Sequence, residues 1–210
     1  MIISKIKRIA STNRFHVYVD DQYCGIFLDE ILARYKIKTD MEVDEQNFKE
    51  IKIENDERVA FDMAASYLEK YNVSEKGLKD YLMKKGFDDH VVCNAIEKLR
   101  EYGFVNDQNF AKNYFETLSA SKGKRAIASK LREKGVSTEI IDDLMENIDE
   151  EDEVEKAIAL ANKFVKNRQK DTKSKQKCIA HLIYKGYDYS VAQQAATIAL
   201  KDLGEQDDWD

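Results

Sequence analysis

The apolar positions of this chain change their spacing once, near residue 56. Before that point the period is two. Phe15, Val17 and Val19 alternate with His16, Tyr18 and Asp20, and after Asp21-Gln22 the alternation resumes at Tyr23, Gly25 and Phe27. Alternation on both sides of a short polar break predicts a β-hairpin. A further strand is expected over residues 2–9, with short helices over 29–35 and 44–53, the second opening with acids near its positive end. From Glu57 onward the period is 3.6, and Ala60, Ala64, Tyr67, Leu68 and Tyr71 mark one stripe. The pattern divides the rest into three units of three helices: 57–71, 74–85 and 88–101; 107–120, 123–134 and 137–148; 151–168, 172–185 and 188–203. Ser74, Asp88, Asp107, Ser137 and Asp188 stand where N-caps are needed.

A short phrase ties these units together. Leu, two variable residues, Lys, Gly and an apolar residue recur as LMKKGF (Leu82 to Phe87), LREKGV (Leu131 to Val136) and LIYKGY (Leu182 to Tyr187), with glycines 49 and 51 residues apart. A fixed period of this size marks a chain of like modules. Glycine adopts the left-handed conformation that ends a helix, and a Lys in the last turn faces the negative end of the helix dipole. Capping is therefore the first explanation of these lysines. The expected fold is mainly α: a tandem array of three three-helix repeats, elongated by stacking, behind a small N-terminal α/β module. The expected segments are 1–55 for the module, 56–105, 106–150 and 151–204 for the repeats, and 205–210 for an acidic tail.

Composition sharpens this picture. The 210 residues contain no proline, as expected of uninterrupted helices with glycine corners. Three widely spaced cysteines, Cys24, Cys93 and Cys178, suit reduced, buried thiols in a cytoplasmic protein. No apolar run reaches membrane-spanning length, so no membrane partner is expected. The net charge is −6, but acids concentrate in 142–155 and at the C-terminus, leaving the third repeat basic.

Catalytic signatures are lacking: there is no nucleophile elbow, phosphate loop, dinucleotide fingerprint or zincin motif. His90 with Cys93 and Cys178 with His181 have metal-ligand spacing, but they fall at different places in their repeats and read as packing residues. The carboxylates of 142–155 read as a solvated acidic face. Neither an enzyme nor a cofactor is expected. The basic clusters carry more weight. Lys122, Lys124, Arg125, Lys130, Arg132 and Lys134 gather on the middle helix of the second repeat, where Ser121 and Gly123 offer backbone amides as an anion seat. Lys163, Lys166, Arg168, Lys170, Lys173, Lys175 and Lys177 follow in the third repeat. Phosphate recognition needs this combination of cations and amides, and no catalytic group.

The thrice-used phrase, the small N-terminal segment ahead of three helical triplets, and the linker GFVNDQNFAKNY (Gly103 to Tyr114) together resemble the RecX family of RecA regulators. Ser119, Gly123, Ile127 and Leu131 continue the pattern, and the resemblance covers nearly the whole chain. It implies a non-enzymatic, monomeric protein that lies in the groove of the RecA filament on single-stranded DNA. Such a protein lowers ATP hydrolysis, strand exchange and coprotease activity, limiting the SOS response, and some members bind DNA directly. The basic residues named above are the expected filament or DNA contacts. A general nucleic-acid-binding helical protein is the alternative.

Overall fold

The computed structural model describes residues 1–169 and 171–205, with side chains described as far as residue 201. By its internal contacts the chain divides into two compact units, Met1–Asn106 and Asp107–Asp210.

The first unit opens with a three-stranded antiparallel sheet of β1 (Ile3–Arg8), β2 (Arg14–Val19) and β3 (Gln22–Leu28), in sequential order. Strand alternation sends Ile3, Val17 and Phe27 into a core completed by α1 (Asp29–Arg34) and the first half of α2 (Glu45–Leu68). Phe27 stacks on Phe48 of α2 at 5.8 Å between centroids. The second half of α2 packs with α3 (Glu75–Lys84) and α4 (Asp89–Glu101) around Ala60, Ala64, Leu78, Leu82, Val92 and Leu99.

Two helices were expected where α2 runs unbroken, and the boundary expected at 55/56 lies inside it. The polar run Glu54-Asn55-Asp56 suggested a break because nothing in it is apolar. Instead Asn55 is fully buried. Its Oδ1 accepts from the Leu28 amide at 3.0 Å and its Nδ2 donates to the Ile26 carbonyl at 2.8 Å. The amide side chain thus satisfies β3 backbone groups that no fourth strand reaches, and fastens the helix to the sheet.

The second unit holds two triplets: α5 (Asp107–Ser119), α6 (Lys124–Glu133) and α7 (Thr138–Glu146), then α8 (Glu150–Val165), α9 (Thr172–Tyr184) and α10 (Tyr189–Glu205). Each has its own core, one built on Phe110, Ile127, Leu131 and Ile141, the other on Cys178, Leu182, Tyr187 and a run of alanines. Ala157 and Ala161 of α8 and Ala192, Ala195, Ala196 and Ala199 of α10 are fully buried. Such small residues let two helix backbones approach closely.

At its second and third occurrences the recurring phrase is a Schellman stop. At the end of α6 the Gly135 amide donates to the Arg132 carbonyl at 2.9 Å and the Val136 amide to the Leu131 carbonyl at 3.1 Å. At the end of α9, Gly186 and Tyr187 repeat this with Ile183 and Leu182. The recurring Leu and the apolar residue after Gly are the two apolar ends that close the motif, and Leu131, Val136, Leu182 and Tyr187 are all buried. Of the expected N-caps, Ser74 and Ser137 accept from Gly77 and Ile140 amides. Asp88 occupies the N-cap position without a side-chain bond. Asp44, Asp149 and Asp171 cap α2, α8 and α9 by the same chemistry.

Candidate filament and nucleic-acid interface

Helix α6 places its cations by its own periodicity. Ile127, Ala128 and Leu131 face the core, and Lys124 falls on the same stripe, one turn earlier. It is largely withdrawn from solvent, with its side chain 17 % exposed. Its Nζ lies 3.2 Å from Oε2 of Glu153 and 3.3 Å from the Ile148 carbonyl, while its backbone amide donates to Oε1 of Glu153 at 3.2 Å. Glu153, first turn of α8, is only 8 % exposed. A desolvated pair with every partner in place is costly to break from either side. Lys124 is therefore a fastener between triplets, and Glu153 does not belong to a solvated acidic face as the run Glu150 to Glu153 suggested. Asp152 in the same run pairs with Lys156 at 2.6 Å, whose Nζ also reaches the Ser119 hydroxyl at 3.3 Å.

The expected anion seat is likewise filled from within. The Gly123 amide donates to the Lys185 carbonyl at 3.0 Å and the Arg125 amide to the Gly186 carbonyl at 3.1 Å. The amino end of α6 thus abuts the carbonyl end of α9, a head-to-tail arrangement that satisfies orphan groups of both helices and opposes unlike dipole ends. The approach is close enough to require glycine. A Cβ on Gly123 would lie 2.5 Å from the backbone of Gly186 and Tyr187. Arg125 adds an ion pair to Asp188 that leaves most of its side chain in solvent.

The remaining expected contacts separate into faces. Arg125 and Arg132 share an exposed face of α6, Lys134 is exposed at its end, and Lys122 and Lys130 are half-buried. On α9, Ser174, Cys178 and Leu182 face inward. Lys173 and Lys177 lie on the opposite stripe with Tyr184, which is 85 % exposed, while Lys175 is half-buried. Lys163, Lys166 and Arg168 are exposed around the end of α8. Arg168 donates to the Phe164 carbonyl at 3.1 Å and its guanidinium sits 4.2 Å from the Phe164 ring centroid. That ring stacks in turn on His181 at 4.5 Å. Burial and the nearby Lys185 and Arg168 charges hold His181 below the usual histidine range. Lys170 lies outside the described residues, as does most of the expected acidic tail.

Exposed aromatics are what sequence reasoning missed. Tyr184 lies within the third phrase and Tyr189 two residues beyond it, and Tyr102 and Phe104 flank Gly103 at the start of the linker, all well exposed. For Tyr184 the signal was present: a large ring stands at a position of α9 where the helical period calls for a polar residue, away from the stripe of Ser174, Cys178 and Leu182. Cys93 corrects another expectation, since it is exposed and lies 3.7 Å from Lys79 Nζ and 3.8 Å from Asp89. Among the described residues no cluster of three or more His, Cys, Asp or Glu side chains is arranged to hold a metal ion. No described helix is long and apolar enough to cross a membrane.

Comparison with known proteins agrees with this architecture. Residues 106–145 match the family model described as RecX, second three-helix domain, and residues 150–196 match RecX, third three-helix domain. A regulatory protein RecX of Listeria innocua is 33 % identical over 201 residues, covering 94 % of this chain and 75 % of its own length. One from Clostridium perfringens is 36 % identical over 183 residues, covering 85 % and 86 %. A crystal structure of a regulatory protein RecX superposes with a TM-score of 0.68 at 25 % identity, covering 93 % of this chain and 98 % of the other. The crystal structure of RecX from Lactobacillus salivarius gives 0.64 at 25 % identity, covering 70 % and 97 %.

Proposed function

This chain belongs to the RecX family of regulatory proteins, and on that premise we propose that it binds the RecA filament on single-stranded DNA and restrains it. The activities restrained are ATP hydrolysis, strand exchange and coprotease function, with the effect of limiting recombination and the SOS response. The relatives carry a regulatory name, and no catalytic family is indicated. The observation that supports contact through the helical repeats is the sorting of cations. Lys124 is consumed by an internal pair, whereas Arg132, Lys173 and Lys177 project on exposed stripes. Arg132, Lys173 and Lys177 have the reach to meet either a carboxylate-bearing filament surface or a phosphate backbone.

The test is RecA-catalysed ATP hydrolysis on single-stranded DNA with increasing amounts of this protein. Suppression at or below one protein per recombinase subunit is expected, and an unchanged rate across the titration would sink the proposal. A second reading, general nucleic-acid binding without RecA specificity, is favoured by the exposed Tyr184 on the same stripe of α9 as Lys177 and Lys173. It predicts equal suppression of unrelated DNA-dependent ATPases and a steep loss of effect with added salt.

A further inference from the structure

The face of the N-terminal sheet opposite its core is not polar in the ordinary way. Strand register brings Lys5 opposite Tyr18 and Tyr18 opposite Tyr23, with Lys7 opposite His16 and His16 opposite Ile26 one step along. Since Phe15, Val17 and Val19 face the core, His16 and Tyr18 face away from it. The rings meet: Tyr18 and Tyr23 are 5.6 Å apart edge to face, and His16 and Tyr23 are 5.6 Å apart at a tilt of 58°. His16 Nδ1 and the Tyr23 hydroxyl lie 3.3 Å apart, which holds the two rings in register. Tyr23 nonetheless remains 55 % exposed. Lys5 sits 5.8 Å from the Tyr18 centroid, and neither Lys5 nor Lys7 forms an ion pair with any described residue.

The strands β1 and β2 that carry Tyr18 and His16 are basic, although Asp56 and Lys52 of α2 both act on Tyr23. The first nineteen residues carry Lys5, Lys7, Arg8 and Arg14 and no carboxylate, in a chain whose net charge is −6. The nearest acids in sequence, Asp20 and Asp21, lie at the hairpin turn, where Asp20 accepts from the Ile2 amide at 2.8 Å. A purely structural role would not need three aromatic rings on the solvent side, because the sheet already has a full core on the other.

We propose that this face is a platform for single-stranded DNA, with bases stacking on Tyr23 and Tyr18 beside His16 and the backbone phosphates meeting Lys5 and Lys7. Antiparallel sheets that present rings to solvent and cations at the margin bind unpaired bases in this manner, since a base offers a π-face only when it is out of a duplex. The site is separate from the cations of the helical repeats. It rests on the filament reading only for the choice of DNA over RNA.

The experiment measures anisotropy of a labelled oligothymidylate of about 15 nucleotides against an abasic strand of equal length, with the full chain and no recombinase. Phosphate contacts hold both strands, whereas stacking holds only the first. The wild type should prefer the strand with bases, and Tyr18→Ala with Tyr23→Ala should weaken that strand about 10- to 100-fold while leaving the abasic strand unchanged. Tyr23→Phe keeps the ring and should keep the preference, and Lys5→Gln with Lys7→Gln should weaken both strands. Tyr23→Ala alone, at a ring already more than half exposed, is the version to read if the double variant melts early. A wild type with no preference for bases, or a folded Tyr variant that retains it, overturns the platform. If RecA suppression persists in that event, the filament reading stands alone; if suppression is absent while base preference holds, the platform stands alone.

Discussion

Replacing Gly123 by alanine tests the joint between the two triplets of the second unit. Gly123 has φ −79°, so its backbone suits any residue, and the whole effect must come from the added methyl group. That methyl would lie 2.5 Å from the Gly186 carbonyl carbon and oxygen and from the Tyr187 nitrogen, all main-chain atoms with no rotamer to change. Ordinary carbon contacts need about 3.5–4 Å, so α6 must retreat from α9 by about 1 Å. Overpacking of this kind costs about 1–3 kcal/mol. The retreat also stretches the amide bonds at 3.0 and 3.1 Å from Gly123 and Arg125, worth about 0.5–1.5 kcal/mol each. Against this, alanine restricts the unfolded chain and returns about 0.4–1 kcal/mol. The net loss is about 3 kcal/mol, which for a unit of roughly 100 residues lowers the melting temperature by about 12–24 °C. Gly77→Ala is the control, because a Cβ there meets Ser74 and Val73 side-chain atoms at 3.4 and 3.6 Å. It should be neutral or stabilising by up to about 1 kcal/mol. Thermal and urea denaturation followed by circular dichroism measure both. A Gly123→Ala protein that melts with its parent would refute the head-to-tail joint.

Tyr187 is 1 % exposed and its hydroxyl has no hydrogen-bond partner among the described residues. Burial and the Glu153 and Asp152 charges push its pKa up to about 12. The folded state therefore resists ionisation that the unfolded state undergoes near 10, so stability is intact below pH 10 and is lost as pH rises toward 12, by up to about 2.7 kcal/mol. Tyr187→Phe should remove that part of the decline in urea titrations at successive pH values and cost nothing at neutral pH; an undiminished alkaline decline contradicts the assignment. Asn55→Leu strands the Leu28 amide and the Ile26 carbonyl and should cost about 2–4 kcal/mol in denaturant unfolding, whereas a neutral result would mean the helix-to-sheet bonds contribute little. Arg132→Glu, on an exposed face, should leave the melting temperature within about 2 °C and weaken RecA suppression; loss of stability instead would assign the residue to the fold.

The sequence made the helices legible because their apolar period was strong and their ends were marked. Nine of the ten described helices fall close to expected segments, and the glycine phrase located three ends from residues that do the capping. The merged α2 was illegible for a definite reason: a buried asparagine that bonds a strand edge looks, in sequence, like a loop residue. The site was harder still. Lysine is read by default as a surface cation, and Lys124 departs from that only because a carboxylate 29 residues later folds over it. Even so, its place on the stripe of Ile127, Ala128 and Leu131 was visible in the helical period. The same discipline applied to the hairpin would have flagged His16, Tyr18 and Tyr23, whose polar-side positions hold rings.

These two cases share one physical cause. A residue type that disagrees with its position in the period has been recruited for something other than the default of that position. At Lys124 the disagreement is a charge on an apolar stripe, and the structure answers it with Glu153, the Ile148 carbonyl and a closed joint. At Tyr23 it is a ring on a solvent face, and within the chain the answer is incomplete: His16 and Tyr18 take its edges while more than half of its surface stays in water. Keeping that much aromatic surface wet forgoes burial worth about 25 cal/mol per Å². A fold with room for Phe27 and Phe48 in the adjoining core had a cheaper place for a ring. The free face of Tyr23 is accordingly a place where an external partner gains by covering it, and a partner with flat, unpaired π-surfaces and negative charge fits Lys5 and Lys7 on the same sheet face.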